Sequence, residues 1–245
     1  MAGKNTKPDP NRPCCYFHKS KTWRKKRITN QKLMMSLPQT LTADSLIFDL
    51  DGTLWDASES TAKAWNQALE EFGQKNHSIN AEQVRSFSGQ RVEIILKENF
   101  SFLTEKDIDL FFETYKKNET IYLQKEGGSL FPDVKETLEQ LKERYNLFIV
   151  SNCLSGYIEN FLNFHELNHL FNDFECSGNT GQPKTYNIKQ VIQRNQLKTP
   201  VYIGDTIWDF EAAQNNNIPF VYAQYGFGTI ELPSFYIRQF RELLD

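Results

Sequence analysis

The sequence predicts an α/β fold with a mostly parallel sheet and a helical insertion after the first strand. Short apolar runs recur along the chain, and amphipathic helical segments separate most of them, as in a parallel sheet covered by helices. The long interval between the first and second runs contains only helical patterns, which predicts the insertion. The apolar runs are residues 45–50, 147–150, 201–203 and 219–222.

The insertion, residues 57–128, contains four predicted helices. Asp56 and Glu59 are spaced as a capping box at the start of the first helix. Asn80 and Thr104 are residue types that cap helix N-termini, and they precede the second and fourth predicted helices. Aromatic residues recur at helical spacing in this interval, and we expect them to form hydrophobic core rather than a surface that stacks on a ligand.

Three further amphipathic helices are predicted after the insertion. The first opens at Phe131-Pro132, because proline suits the first turn of a helix. The apolar stripes of the three helices are Val134, Leu138 and Leu141, then Ile158, Phe161 and Leu162, then Ile188, Val191 and Ile192.

The composition is that of a globular protein with an acidic body and a basic start. Ten of the 28 Lys/Arg and one of the 31 Asp/Glu lie in residues 1–32, so the remaining chain carries a formal charge of −12. This body has no evident affinity for nucleic acid, and no apolar run approaches the roughly 18 residues that span a membrane. The four cysteines show no CxxC spacing, which favours reduced thiols in a cytoplasmic protein.

Residues 1–40 form a basic, proline-containing stretch without periodicity, and we expect this tail to be disordered. It fits a nucleic-acid-binding arm, a transit peptide, or a misplaced start with the true start near Met35. We favour the misplaced start, because a chain that began there would still contain every predicted element. The remaining chain divides into a predicted α/β core, residues 41–56 and 129–245, and the insertion.

Acidic side chains follow two of the predicted buried strands. Asp49 and Asp51 end the first apolar run, and Asp205 and Asp209 follow the run at residues 201–203. The carboxyl ends of strands line the ligand crevice of an open α/β sheet. Any one of these aspartates fits the cap of a turn or helix, but several acids after two strands favour a binding site.

A metal ion is the simplest way to bring these acids together. Asp49, Asp51 and Asp205 would repel one another, and a bound divalent cation removes that cost. Hard oxygen ligands without a partnering histidine or cysteine favour Mg²⁺, which usually binds through few carboxylates plus a substrate phosphate.

Four motifs in chain order resemble those of the haloacid dehalogenase superfamily. They are Asp49-x-Asp51-Gly52-Thr53, Ser151 after a strand, Lys184, and Gly204-Asp205-x-x-x-Asp209. The resemblance covers about residues 44–230 and is closest to the phosphoglycolate-phosphatase-like branch. It implies a Rossmann-like core with a helical C1 cap. One departure is Thr185, which follows Lys184 where proline is common in relatives.

The resemblance implies a role for each motif residue. Asp49 is expected to attack phosphorus and form an aspartyl-phosphate, and Asp51 to act as general acid and then general base. Ser151 is expected to hydrogen-bond the phosphoryl oxygens, and Lys184 to offset their charge. As alternatives, Ser151 fits a helix N-cap and Lys184 fits a solvated surface lysine.

The resemblance also implies a Mg²⁺ site and a substrate site. Asp49, Asp205 and the main-chain oxygen of Asp51 are expected to bind the metal, with Asp209 behind them to orient water or Lys184. Arg91 in the insertion either binds an anionic or sugar part of the substrate or is an exposed arginine. The expected substrate-binding residues are Gly52, Thr53, Asn152, Gly89 and Arg91.

The resemblance leads us to expect a monomeric phosphatase that hydrolyses a small phosphorylated metabolite. A β-phosphoglucomutase-like mutase shares the same motifs, and a non-catalytic binding protein with the same fold is the alternative from another class. Neither nucleic acid nor a membrane is an expected partner. Phosphoglycolate, sugar phosphates and nucleotides all remain open as substrates.

Overall fold

The computed structural model describes residues 43–231 and 233–245. The predicted disordered tail, residues 1–40, lies outside the described residues, and so do its three interpretations. Among the described residues, no helix has the length and apolarity needed to cross a membrane. In chain order the elements are β1 (Ser45–Phe48), β2 (Trp55–Asp56), α1 (Ser58–Glu71), α2 (Ala81–Ser86), α3 (Val92–Asn99), α4 (Glu105–Glu126), β3 (Ser129–Leu130), α5 (Val134–Lys142), β4 (Asn146–Ser151), α6 (Tyr157–Phe164), β5 (Asp173–Cys176), α7 (Ser177–Thr180), α8 (Lys184–Arg194), β6 (Pro200–Gly204), α9 (Ile207–Asn215), β7 (Phe220–Ala223), β8 (Tyr236–Ile237) and a 3₁₀ helix (Phe240–Leu244).

Six parallel strands form the main sheet in the order β5-β4-β1-β6-β7-β8. The predicted α/β class with a mostly parallel sheet is therefore confirmed. The four predicted apolar runs correspond to β1, β4, β6 and β7. The sequence did not reveal β5 and β8, because both lie at the edges of the sheet, where short and partly polar strands are tolerated.

Strand β1 lies in the middle of the sheet and is buried on both faces. Leu46 and Phe48 belong to one hydrophobic cluster and Ile47 to the other, as the alternation of side chains along a strand requires. Burial on both faces explains why the run is continuously apolar. Because β4 and β6 flank β1, the residues that follow these three strands meet at one edge of the sheet.

The four helices α1–α4 lie between β2 and β3, which form a short antiparallel pair. They enclose a hydrophobic cluster in which Trp65 stacks on Tyr115, with ring centroids 3.8 Å apart, and on Phe100 at 4.9 Å. The aromatic residues of the insertion therefore form core, as expected. That residues 57–128 act as a separate cap domain stays a prediction.

The predicted capping box at the start of α1 is wrong. Helix α1 begins at Ser58, after Ala57, which has no capping side chain. The Asp56 carboxylate accepts a hydrogen bond from the Ser58 N–H and pairs with Arg85 at 2.8 Å. Asp56 therefore ties α2 to the start of α1, and Glu59 is exposed in the first turn.

Of the three other predicted helix starts, the structure confirms two. Asn80 and Thr104 are the N-cap residues of α2 and α4, as predicted. Helix α5 begins at Val134 rather than at Phe131-Pro132, because Asp133 takes a left-handed conformation with φ of 62° and interrupts the helical path. The predicted apolar stripe of α5 is buried.

The central position of β1 predicts a large effect of Phe48→Ala. Phe48 is fully buried and packs against the rings of Phe171 and Phe240. Removing this ring leaves a cavity, so we expect the free energy of unfolding to fall by about 3–5 kcal/mol in urea denaturation. The control Leu110→Ala, on the exposed face of α4, should change it by no more than about 0.5 kcal/mol. Equal effects of the two substitutions would contradict this assignment of the core.

Candidate active site

The predicted motif residues meet at the carboxyl ends of the three central strands. Asp49 directly follows β1, Ser151 ends β4, and Asp205 directly follows β6. The Asp49 N–H donates to the Ile203 carbonyl at 2.9 Å, which extends the pairing of β1 with β6 by one residue. The structure thus places these three residues side by side, and Asp51, Lys184 and Asp209 join them.

Lys184 lies between two of the aspartates. Its Nζ donates to Asp49 Oδ1 at 2.7 Å and to Asp209 Oδ1 at 2.5 Å, and its side chain is only 3% exposed. Lys184 is the first residue of α8, with Pro183 as N-cap. Burial by itself would lower the pKa of Lys184, but Asp209 and Asp49 outweigh it and raise that pKa, so the ammonium stays charged.

Asp209 is held from every side by protein groups. The N–H and hydroxyl of Thr206, the N-cap of α9, donate to Asp209 Oδ2 at 2.9 and 2.6 Å. The Tyr202 hydroxyl, which donates to the Val150 carbonyl at 2.7 Å, lies 3.3 Å from Oδ1, beside the bond from Lys184. With both oxygens engaged, Asp209 is suited to fix the position of Lys184.

Asp205 is anchored by the loop after β7 and by the first motif. Its Oδ2 accepts from the N–H groups of Phe227 at 2.8 Å and Gly228 at 3.2 Å, and Thr53 Oγ1 donates to Oδ1 at 3.2 Å. Gly52 has φ of 84°, and a Cβ there would lie 2.3 Å from Asp205 Oδ2, so only glycine fits. Gly52 and Thr53 therefore contact Asp205 and do not line the cavity described below.

The carboxylates suit a metal ion. Asp49, Asp205 and Asp209 each offer an oxygen within 4.8 Å of the others, and all three are buried. Burial, together with the charges of Asp209 and Asp49, raises the pKa of Asp205 well above its ordinary value. Among the described residues, Lys184 is the one cation paired with this cluster. An excess of buried negative charge on hard oxygen ligands fits a divalent cation.

The side chain of Asp51 lies beside the cluster of Asp49, Asp205 and Asp209 but is not part of it. The Tyr157 hydroxyl donates to Asp51 Oδ1 at 2.7 Å. Burial raises the pKa of Asp51 to about 7, with a further rise from Asp49, while the Tyr157 hydrogen bond opposes the shift. A carboxyl group that titrates near neutral pH can both give and take a proton, as a general acid and base must.

A cavity of about 80 Å³ lies between the strand ends and the insertion. Asp49, Asp51, Ser151 and Asn152 line its core side, and Gly89 lines its other side. On the scale of roughly 10–15 Å³ for a single water, the cavity accommodates on the order of five to eight water-sized groups. It is therefore sized for a small molecule.

Gly89 and Asn152 close the cavity on one side. The Asn152 amide donates to the Gly89 carbonyl at 2.8 Å, and its oxygen accepts from the Ser177 hydroxyl at 2.7 Å. Gly89 has φ of 78°, and a Cβ there would lie 2.7 Å from Thr206 Oγ1. Glycine thus permits the close approach of the loop between α2 and α3 to the strand ends.

Arg91 does not line the cavity. Its guanidinium group pairs with Glu93 at 3.1 Å. Of the predicted substrate-binding residues, the structure therefore brings Gly89 and Asn152 to the cavity and places Gly52, Thr53 and Arg91 elsewhere.

Several residues that line the cavity are absent from the predicted site, among them Tyr157, Tyr115 and Glu119. Tyr157 was not singled out, and Tyr115 was assigned only to the core of the insertion. Glu119 lies four residues after Tyr115 on α4 and is buried, with the Tyr115 hydroxyl donating to it. The sequence signal that could have identified Glu119 is an acidic residue on the apolar face of a helix.

Comparison with known proteins agrees with this architecture. A family model described as haloacid dehalogenase-like hydrolase matches residues 46–223. The phosphoglycolate phosphatase of Aliivibrio fischeri is 29% identical over 183 residues, which cover 69% of this chain and 78% of the relative. The phosphoglycolate phosphatase of Aquifex aeolicus is 27% identical over 202 residues, 78% of this chain and 90% of the relative.

Solved structures show the same fold. A haloacid dehalogenase-like hydrolase from Streptococcus pneumoniae superimposes with a TM-score of 0.71 at 25% identity, over 82% of this chain and 97% of that one. A predicted phosphoglycolate phosphatase from Haemophilus somnus gives a TM-score of 0.68 at 24% identity, over 84% and 98%. With the family match over most of the sequence, the chain belongs to the haloacid dehalogenase-like hydrolase family.

Proposed function

We propose that this protein is a Mg²⁺-dependent phosphatase that hydrolyses a small phosphomonoester through an aspartyl-phosphate. The observation that carries the proposal is Asp49, a buried carboxylate held by Lys184 at the floor of a small-molecule cavity. The relatives named phosphoglycolate phosphatase support the reaction class.

In the first step the Asp49 carboxylate attacks phosphorus, and the bond between phosphorus and the leaving oxygen breaks. Asp51 gives its proton to that oxygen, so the leaving group departs as an alcohol. In the second step Asp51 takes a proton from water, whose oxygen attacks the same phosphorus while the bond between phosphorus and the Asp49 oxygen breaks. The products are inorganic phosphate and free Asp49, and Asp51 is again protonated.

Lys184 and Ser151 hold the phosphoryl group during both steps. The Lys184 ammonium offsets the negative charge of its oxygens, and Asp209 positions Lys184 from behind. Asp49, Asp205 and the main-chain oxygen of Asp51 would hold Mg²⁺. When bound, this ion supplies positive charge that balances the carboxylates and the phosphoryl oxygens.

We further propose that the protein acts as a monomer in the cytoplasm. Cys153 and Cys176, the cysteines that the structure describes, are free thiols, as expected of a reducing compartment. The helical insertion would serve as a cap over the cavity.

Asp49→Asn should lower kcat by at least about a thousandfold, because the neutral amide cannot form the aspartyl-phosphate. Released inorganic phosphate is the measurement, which also separates a phosphatase from a mutase that returns phosphate to a sugar. The matched control Asp109→Asn, on an exposed position of α4, should retain activity. Near-normal turnover by Asp49→Asn would exclude this residue as the nucleophile.

Removal of divalent cations with EDTA should abolish phosphate release, and excess Mg²⁺ should restore it. The reason is that the buried aspartates around Lys184 leave the site too negative to accept a phosphate dianion. Full activity in EDTA would refute the metal requirement.

Tyr157→Phe should move the acidic limb of the kcat–pH profile to higher pH by about one unit. The Tyr157 hydroxyl donates to the Asp51 carboxylate, so it favours the ionised form and holds the pKa of Asp51 down. Without it that pKa rises, and a higher pH is needed to ionise Asp51 as the general base. The control Tyr186→Phe, at an exposed site on α8, should leave the profile in place, and an unshifted profile in Tyr157→Phe would argue against Asp51 as the base.

A further inference from the structure

Arg85 connects the insertion to the core loop that follows β7. It lies in α2, and its Nε and Nη2 donate to Asp56 Oδ2 at 3.1 and 2.8 Å. Its guanidinium group also lies over the ring of Phe227, 5.8 Å from the ring centroid. A guanidinium group within about 6 Å of the centroid of an aromatic ring is attracted by that ring. A side chain of the insertion therefore helps to hold Phe227.

The backbone of Phe227 holds one of the clustered carboxylates. Its N–H donates to Asp205 Oδ2 at 2.8 Å, and the N–H of Gly228 donates to the same oxygen at 3.2 Å. In the proposed function Asp205 is one of the residues that would bind Mg²⁺. Groups that hydrogen-bond to a metal ligand orient it, and their loss commonly weakens metal binding. Phe227 thus contacts the insertion with its side chain and the expected metal site with its backbone.

Glycine on both sides of Phe227 brings this loop directly against Asp205. A Cβ on Gly226 would lie 2.3 Å from Asp205 Cβ, and a Cβ on Gly228 would lie 2.4 Å from the Asp205 carbonyl oxygen. Glycine also gives the backbone more conformational freedom than any other residue does. Because both neighbours of Phe227 are glycines, the position of its N–H depends on the contacts of its own side chain.

The ring of Phe227 is held by groups from the core and from the insertion. Phe131, which precedes α5, contributes a ring whose centroid is 6.1 Å from that of Phe227. Arg85 contributes its guanidinium group, and the pairing with Asp56 fixes where that group lies. The contact with Phe131 stays within the core, whereas the contact with Arg85 exists only while α2 lies against Asp56 and Phe227.

We propose that Arg85 is a positioning residue that couples the placement of the insertion to the Mg²⁺ site through Phe227. With α2 in place, Arg85 holds the Phe227 ring, and the N–H groups of the loop fix Asp205 for the metal. Without this contact the loop loosens and Mg²⁺ binds less tightly. Coupling is reciprocal, so bound Mg²⁺ in turn favours the placement of α2 against Phe227. The inference rests on the Mg²⁺ site of the proposed function.

Arg85→Gln should weaken Mg²⁺ binding by the full chain about two- to fivefold, because it removes the cation from the Phe227 ring. Isothermal titration calorimetry with Mg²⁺ alone measures the dissociation constant without turnover. The matched control Lys63→Gln removes another cation of the insertion, one that pairs with Glu126, and should keep the wild-type constant. An unchanged constant in Arg85→Gln would overturn the inference. If the wild-type chain bound no Mg²⁺, the metal site of the proposed function would fail, and the inference with it.

A double-mutant cycle tests whether Arg85 acts through Phe227. Phe227→Leu removes the aromatic ring, so in that background Arg85→Gln should leave the dissociation constant for Mg²⁺ unchanged. A general loosening of the insertion would instead weaken Mg²⁺ binding by the same factor in both backgrounds. Equal effects of Arg85→Gln with and without the Phe227 ring would therefore refute the coupling.

Discussion

The buried pairing of Lys184 with Asp49 and Asp209 is the interaction on which the rest of the site depends. Three carboxylates, those of Asp49, Asp205 and Asp209, lie together where water scarcely reaches, and one ammonium group lies among them. Buried charges persist only when paired and hydrogen-bonded. The partners come from β1, β6, α8 and α9, so the site exists only when the sheet and its covering helices are assembled.

The insertion forms the side of the cavity that faces the strand ends. The Gly89 carbonyl is held by the Asn152 amide, which is itself held by Ser177, and Arg85 ties α2 to Asp56. These contacts keep the loop between α2 and α3 over the strand ends. The loop therefore lines the cavity together with Asp49 and Asp51.

The core and the insertion contribute different kinds of side chain to the cavity lining. The proposed chemistry at phosphorus belongs to Asp49 and Asp51, and every phosphomonoester shares the group on which they would act. The insertion contributes Glu119 to the cavity lining, together with Trp65 and Tyr115 of its aromatic cluster. Function lies in sites rather than in the fold, so the residues that the insertion contributes would distinguish one leaving group from another.

The sequence by itself determined the four inner strands, because buried strands have a continuous apolar signature, and the positions of Asp49, Asp51 and Asp205, because acids directly follow those strands. Only the tertiary structure decided which groups contact them. The Tyr157 hydroxyl donates to the carboxylate of Asp51, which is 106 residues away in the sequence. The Thr53 hydroxyl donates to Asp205 and does not line the cavity. In the sequence Glu119 is one of many helical residues, and only the packing of the helices shows that it is buried near Asp51. Local patterns report secondary structure and burial, whereas the partner of a side chain depends on packing between segments distant in sequence.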